Sequence, residues 1–498
     1  MCSSDLANPI AGAGLVPPVG PDAQRLGHFG PVLAWPSVPI HWGLTPDGRV
    51  MSFGATSDGQ QGGYRDYVVW DPARGSGPES FLLLPNTTAV DSFCAGQWLL
   101  ADTGETLISG GNQLIDGING YGRTDVMRFN PVDNGVRLVT PMQVPRWYAT
   151  TLADARGQVV ALGGRVVPAM PDGERAVAAR VPEVLDPATG QWRLLDGAAS
   201  DLAYGLSMGS WWYPRAWLGP DDRLFIVAHN GRLFSLDTAG QGSLTAWTPR
   251  LANVSAHLPA AMYAPGRLIT VRNGQQVSLI DINGARPVVS AAAPISRHRR
   301  FASGTLLANG QWFVNGGTSV EDNVLEGAHL QAELWDPDSG AWRDLASAAL
   351  PRLYHSNAML LPDGTVLTGG GGLPGPLVNA NVEIYYPPYL YRQDGSGEPA
   401  ARPVIDTTPQ AVTWGESLAL RTRSARPIAR MTLVGASQAT HAFNVGQRFQ
   451  ALKFRADGQR LRVSLPRDRR QAPAGYYLLF AIDTDGVPSV AKLLRLRD

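Results

Sequence analysis

Apolar and polar positions along this chain come in paired bursts. The clearest pair, LLPDGTVLTGGGG around Gly364, is an apolar run, a Pro-Asp-Gly turn, a second apolar run and a cluster of glycines. The same outline recurs at LTPDGRVMSFG (Gly48), LLADTGETLISGG (Gly104), TLADARGQVVALGG (Gly157), WLGPDDRLFIVA (Asp222), MYAPGRLITV (Gly266) and LLANGQWFVNGG (Gly310). That makes seven units, roughly 44 to 65 residues apart. A self-similar period of this length signals a repeat architecture. Two short apolar runs flanking such a turn predict a β-hairpin in each unit.

Later in several units an apolar residue, Asp-Pro, a turn and another aromatic follow. Examples are Leu185-Asp186-Pro187 to Trp192 and Trp335-Asp336-Pro337 to Trp342, with Trp70-Asp71-Pro72 as a partial copy. Two hairpins per unit make a four-stranded blade, and seven blades close into a β-propeller, which protects its sheet edges by radial repetition. From about Arg402 the marks disappear. ESLALRTR, IARMTLVG, QRLRVSLP and GYYLLFAIDTDG alternate as strands of a small β-sandwich. The expected organisation is a tail over 1–24, a propeller over 25–395, a linker within Arg392–Ala400 and an immunoglobulin-like sandwich over 401–498.

Composition agrees with an all-β chain: 17% of the 498 residues are charged, while Gly 56 and Pro 39 supply the turns. Lys+Arg 42 balances Asp+Glu 42, and no basic run is present, which argues against nucleic acid as a partner. No stretch approaches the apolar length of a membrane span. Two cysteines, Cys2 and Cys94, cannot build a disulfide framework. The opening stretch reads as a truncated or foreign leader, and a rival reading makes Cys2 the lipidated first residue of a surface lipoprotein.

The innermost strand of each propeller blade runs along the central channel, so residues at its start converge on one opening. Counting back nine or ten positions from each turn samples that ring: Val38/Pro39, Cys94, Tyr148, Trp212/Tyr213, Ala256/His257, Arg300/Phe301 and Tyr354/His355. The ring collects the internal cysteine, three tyrosines and two histidines. Such polar, oxidisable groups at a channel mouth suit a metal or redox site, whereas a structural ring could be aliphatic. Tyr and His also cap strand ends, so each member alone has a structural alternative.

Four motifs, DSFCAGQWLL at Cys94, MQVPRWYATTLAD at Tyr148, RLYHSNAMLLPDGTVLTGGGGL at Tyr354-His355 and SQATHAFNVGQR at His441, occur in order on the expected repeats. Together they resemble the copper-radical oxidases, the galactose oxidase and glyoxal oxidase family, from about Gly27 to the C-terminus. The resemblance implies a kelch-like propeller and one copper ion. Tyr148 is then an equatorial ligand joined by a thioether to Cys94, His355 and His441 are the nitrogen ligands, and Tyr354 is the axial tyrosine. His441 belongs to the sandwich, on a loop that in the family inserts along the propeller axis. A two-electron oxidation of a small aldehyde or primary alcohol, such as a carbohydrate, coupled to reduction of O2 to H2O2, is the implied activity. Location outside the cell or on its surface is implied likewise.

The match departs from galactose oxidase in two places. Trp147 precedes the tyrosine, as in glyoxal oxidase-like members, and Arg165-Val166 stand after Gly163-Gly164 where an indole covers the cross-link. Trp211 or Trp212 is either a substitute cover or ordinary blade packing. No sugar-binding module precedes the propeller here, which turns the expectation away from galactose. Trp147, Trp212, Tyr213, Arg215, His257 and Arg300 are pocket candidates, with His257 read as a pocket or structural residue rather than a ligand. A non-catalytic propeller binding glycans or proteins is the alternative, and it needs none of the five axial residues.

Overall fold

The computed structural model describes residues 16–498 apart from 64–65, 171–174, 187, 252–256, 273–274, 321–322 and 498. Cys2, Pro187 and Ala256, named above, lie outside the described residues. Seven antiparallel blades follow one another in chain order. Their innermost strands are His41–Leu44, Gly96–Leu99, Thr150–Ala153, Arg215–Leu218, Ala260–Ala264, Ser303–Leu306 and Ser356–Leu360. Blade 7 draws its outer strand from the start of the chain, where His28–Phe29 and Leu33–Ala34 pair with Asn381–Tyr386 and close the ring. Residues 16–24, expected as part of a tail, are packed: Ala23 is buried, and the Val19 N–H donates to the Gly397 carbonyl at 3.0 Å.

Each hairpin turn has the left-handed residue its sequence calls for. Gly48, Gly104, Gly157, Gly266, Gly310 and Gly364 have φ between 67° and 89°, and Asp222, without glycine's freedom, takes 65°. The Gly-Gly endings answer a second constraint, close approach of the neighbouring blade. A Cβ on Gly110 would sit 2.2 Å from the Arg146 carbonyl oxygen, and one on Gly316 2.5 Å from that of Arg352.

Blades 3, 6 and 7 share a device not foreseen from the sequence. Arg146, Arg299 and Arg352 stand two or three residues before Tyr148, Phe301 and His355, fully buried. Each donates to the carbonyl of a glycine in the cluster ending its blade's second strand: Gly163 at 2.7 Å, Gly316 at 2.7 Å and Gly370 at 3.3 Å. Each also pairs with a buried glutamate on the third strand, Glu183, Glu333 or Glu383, at 2.5–3.0 Å. The signal was legible as an Arg before the ring position and a Glu in PEVLDP, AELWDP and NVEIYYP.

Beyond residue 400, Ser417–Arg423 and Arg460–Ser464 pair in one sheet, while Ile428–Gly435 and Gly475–Asp483 pair in the other. Their inward residues, among them Leu418, Leu420, Met431, Leu433, Val463 and Leu479, form a separate core. Residues 392–400, expected as a linker, close into a turn through a Tyr391–Pro399 bridge and an Arg392 N–H to Glu398 carbonyl bond of 2.9 Å.

The sandwich enters the propeller through one hairpin, Gln438–Thr440 and Phe443–Leu452. Its first strand pairs antiparallel with His41–Leu44 of blade 1, and its second pairs parallel with Ala260–Ala264 of blade 5. Side chains tie it to further blades: Gln97 donates to the carbonyls of Trp42 and Ala439, and Gln447 brackets the main chain of Leu306. The channel is therefore filled by backbone whose polar groups are satisfied on both sides.

Candidate metal centre

The ring found by counting is a ring in space. Cys94, Tyr148, Tyr213, Phe301 and His355 precede their innermost strands by one or two residues, and all have left-handed backbone, with φ of 55°, 70°, 41°, 67° and 67°. For a non-glycine residue that conformation costs about 1–2 kcal/mol, so the surrounding structure must enforce it. Main-chain bonds between blades do so. The Tyr148 N–H donates to the Cys94 carbonyl at 2.9 Å, that of Tyr213 to Tyr148 at 2.8 Å and that of Phe301 to His257 at 2.8 Å. The hairpin tip repeats the conformation, with φ of 47° at His441 and 63° at Ala442. In this geometry adjacent residues need not face opposite ways, and the rings of Tyr354 and His355 stack at 3.9 Å.

The donor atoms converge. The phenol oxygens of Tyr148 and Tyr354 are 2.6 Å apart. Sγ of Cys94 lies 3.4 Å from Nε2 of His441 and 3.6 Å from Nε2 of His355, and the thiol is within hydrogen-bond reach of the Tyr148 phenol. All five side chains are buried, the most exposed being Tyr354 at 9%.

Hydrogen bonds fix both imidazoles as acceptors at Nε2. His355 Nδ1 is 2.6 Å from the Gly372 carbonyl, which can only accept, so Nδ1 carries the proton. His441 Nδ1 is 2.5 Å from the Thr440 hydroxyl, which itself donates to the Ile40 carbonyl at 3.1 Å and therefore accepts from His441. In both residues the lone pair at Nε2 faces the thiol. Burial supports the neutral form: it pulls His355 down to about 4 and His441 well below the usual range, with His355, His41, His257 and Arg215 adding to the latter. The phenols of Tyr148 and Tyr354 are pushed well above the ordinary tyrosine value, first by burial and then by Cys94 and, for Tyr148, Tyr354. A divalent cation among them inverts that balance by supplying the counter-charge a phenolate lacks.

Two neutral imidazoles and two phenols make a nitrogen and oxygen donor set of the kind Cu(II) prefers, so these residues fit copper. Both tautomers follow from hydrogen bonding alone. A ring nitrogen held as acceptor, buried and aimed at other donors, is what metal ligation requires.

The ring of Tyr148 is enclosed by Trp147 at 4.4 Å, Trp212 at 4.7 Å, Tyr213 at 5.3 Å and Trp211 at 5.8 Å, all tilted or edge-on. None stacks parallel. Where an indole was expected after Gly163-Gly164, the Arg165 guanidinium lies over Trp147 at 4.4 Å and over Trp211 at 5.4 Å.

Around Tyr354, Phe301, His257 and Trp212 form a wall at 5.4, 5.9 and 6.0 Å. His257 sits edge-on to Trp212 at 4.5 Å, and burial with neighbouring cations holds it neutral. Arg300 lies beside this wall, its guanidinium 5.2 Å from the Phe301 ring. Arg215, expected in the pocket, is instead a brace: buried, it donates to the carbonyls of Tyr213, Leu258 and His441 at 2.9, 3.3 and 3.3 Å. Tyr213 supports the same hairpin, its ring 4.7 Å from that of His441 and its hydroxyl on the Ala95 carbonyl. The sequence pattern gives no sign of Thr440 or His41, both of which lie on strands beside the site.

Comparison with known proteins agrees with this geometry. Residues 402–496 match the family model described as galactose oxidase-like, Early set domain. A galactose oxidase of Gibberella zeae is 26% identical over 510 aligned positions, spanning 95% of this chain and 71% of that protein. The aldehyde oxidase GLOX of Vitis pseudoreticulata is 34% identical over 171 positions, 30% of this chain and 31% of the relative. A copper-bound fungal alcohol oxidase described as showing catalytic diversity among the AA5 family superposes with a TM-score of 0.82 at 24% identity, over 95% of this chain and all of its own. That last likeness bears on the fold.

Proposed function

We propose, from the premise that this chain is a copper oxidase related to galactose oxidase and the plant aldehyde oxidases, that it oxidises small aldehydes or primary alcohols through a Cys94–Tyr148 thioether radical. The single observation that carries the proposal is the meeting of Cys94, Tyr148, Tyr354, His355 and His441 from three blades and the sandwich within hydrogen-bonding distances of one another.

Copper bound here would supply one of the two electron equivalents that oxidation of an alcohol requires, with O2 as the final acceptor, reduced to H2O2. Tyr148, His355, His441 and Tyr354 are the residues that would hold it. Tyr148, bonded through its ring to the Cys94 sulfur, stores the second equivalent as a phenoxyl radical and takes the hydrogen atom from the substrate carbon. Sulfur substitution eases removal of the electron, and the short tether fixes the ring. Tyr354, hydrogen-bonded to Tyr148 at 2.6 Å, receives the hydroxyl proton as general base. Burial of both phenols excludes water that would quench the radical.

Phe301, His257 and Trp212 form an aromatic wall with a neutral imidazole and no carboxylate, which suits a small, uncharged carbonyl or hydroxyl compound. Arg300, whose guanidinium lies 5.2 Å from the Phe301 ring, is a cation beside this wall that would orient an oxygen of the substrate. Secretion or surface display accords with this chemistry, and among the described residues no helix is long and apolar enough to cross a membrane. A purely binding propeller leaves the left-handed ring and the two oriented imidazoles without a purpose.

The test is peptide mapping after exposure to copper and air. The peptides of Cys94 and Tyr148 should emerge joined, with loss of two hydrogen atoms. Separate peptides from copper-loaded protein overturn the proposal. A peroxide-coupled screen of glyoxal-type aldehydes, aliphatic alcohols and galactose then ranks the substrates.

A further inference from the structure

His41 carries nothing in the mechanism above, yet it is fully buried beside the metal ligands. It opens the innermost strand of blade 1, directly across from Thr440 in the hairpin register. Its ring is clamped flat on Phe53, with centroids 4.5 Å apart and planes 5° apart, and it faces the His441 ring at 5.8 Å. Neither Nδ1 nor Nε2 has a hydrogen-bond partner among the described residues. A buried polar group left unsatisfied costs about 1–3 kcal/mol, and such groups in folded proteins nearly always have a partner. One ligand atom each from His41, Cys94 and His441 lies within 4.8 Å of the others.

We infer that His41 is a third imidazole of the metal centre, and that with Cys94 and His441 it forms a soft-donor site that holds Cu(I) while the Cys94 sulfur is still a free thiol. The inference rests on the oxidase reading for the identity of the metal. Two imidazoles and a thiolate in a buried, three-sided arrangement suit a d10 ion, which prefers soft donors and low coordination. The second set, two phenols with His355 and His441, suits Cu(II). The two sets share His441 and divide the remaining donors by softness.

The sequence of events follows from the sulfur. Cys94 gives up its thiol proton to solvent as the ion binds; when the thioether forms, one ring C–H of Tyr148 breaks, a C–S bond forms, and two electrons pass to O2, which with the ring proton and one from solvent gives H2O2. A thioether is a weaker donor than a thiolate, so the soft set loses its sulfur and the ion is left to the nitrogen and oxygen set. His41 thereby belongs to loading, and His355 to turnover.

Full-length protein prepared without copper, its Cys94 thiol confirmed by titration, is mixed anaerobically with Cu(I) and a competing chromophoric chelator. The unaltered protein should take up one ion. His41→Asn and Cys94→Ser should each weaken uptake about tenfold or more, the usual effect of removing a ligand or its orienting partner. His355→Ala should hold Cu(I) nearly as well as the unaltered protein, and X-ray absorption on that variant should show two nitrogens and one sulfur around the ion. Thermal melts of the copper-free proteins, with His41→Gln as a second substitution, separate loss of a ligand from loss of fold. Wild-type affinity in His41→Asn, an equal loss in His355→Ala, or no sulfur at the ion overturns the inference. Protein that loads Cu(I) through His41 yet never joins Cys94 to Tyr148 overturns the oxidase reading alone.

Discussion

The hydroxyl of Tyr148 meets that of Tyr354 at 2.6 Å across 206 residues of chain, in a buried bond that links blade 3 to blade 7. In the proposed mechanism one phenol takes a hydrogen atom and the other a proton, and their contact would keep the two events at one spot. Tyr354→Phe keeps the ring and its stack on His355, and leaves Tyr148, His355 and His441, the other residues proposed to hold copper, in place. Its kcat is expected to fall by about 10²–10⁴, the range for loss of a general base. Copper content and the joined Cys94–Tyr148 peptide should persist. A peroxide-coupled rate within threefold of the unaltered enzyme contradicts the role.

Thr440 orients His441 from the position next to it in sequence. Its hydroxyl spends its proton on the Ile40 carbonyl and accepts that of His441 Nδ1, leaving Nε2 unprotonated, as the proposed metal ligand must be. Thr440→Val keeps the shape and removes the acceptor. Copper affinity, measured against a competing chelator, should drop about 10- to 100-fold, as for other partners of metal-bound histidines. Thr440→Ser should restore it.

Arg165 places a cation where the resemblance led us to expect an indole. Phenoxyl is neutral and phenolate is an anion, so a nearby positive charge favours the reduced form and raises the potential of the couple. Its charge is felt by Tyr148, Tyr354 and Cys94. Arg165→Leu should lower the radical's midpoint potential by on the order of tens of millivolts and lengthen its lifetime, read by redox titration of its optical band. An unchanged potential means the charge is screened at that distance.

The repeats made the propeller, and with it most of the site, readable. A turn glycine, or Asp222 in its place, recurs once per blade because the hairpins need φ > 0, and counting back from these turns lands on Cys94, Tyr148 and Tyr354-His355. His441 was reachable only through resemblance, since nothing local in SQATHAFNVGQR says that this hairpin leaves the sandwich to pair with blades 1 and 5. His41 escaped because an apolar strand hides a histidine whose partners are 53 and 400 residues further along the chain. Arg215 looked like a pocket arginine because its sequence position lies near the ring. Its three main-chain acceptors come from blades 4 and 5 and the hairpin, which no local pattern reveals.

His229 gives the fold a defined response to acid. Burial, helped by Arg215 and Arg272, lowers it to about 3 from 6.5. Unfolded chain takes up this proton near pH 6.5 and native protein only near pH 3, so its stabilising effect is complete above pH 6.5 and drains as pH falls through that window. The loss runs at about 1.4 kcal/mol per pH unit for each such group. His229→Asn should flatten the acid limb of a denaturant-derived stability profile by about one proton equivalent. A parallel limb shows that other groups dominate acid unfolding.

The Arg146–Glu183 pair couples stability to the position of Tyr148, two residues away. Both side chains are fully buried, and the Glu183 carboxylate also accepts the N–H groups of Gln143 and Val144 at 2.6 and 3.1 Å, fixing the approach to the ring. Removing one partner strands a buried charge, so Glu183→Gln should cost about 3–5 kcal/mol, measured by chemical denaturation. The paired change Arg146→Met with Glu183→Leu removes both charges and should cost less than the sum of the single changes, though it frees the Gly163 carbonyl and the two N–H groups that the pair had satisfied. Because the strand entry loosens in either case, kcat should fall further than stability alone explains when assayed well below the melting temperature. A double variant as unstable as the sum of its parts means that the glutamate's main-chain bonds, and not its ion pair, hold the ring residue in place.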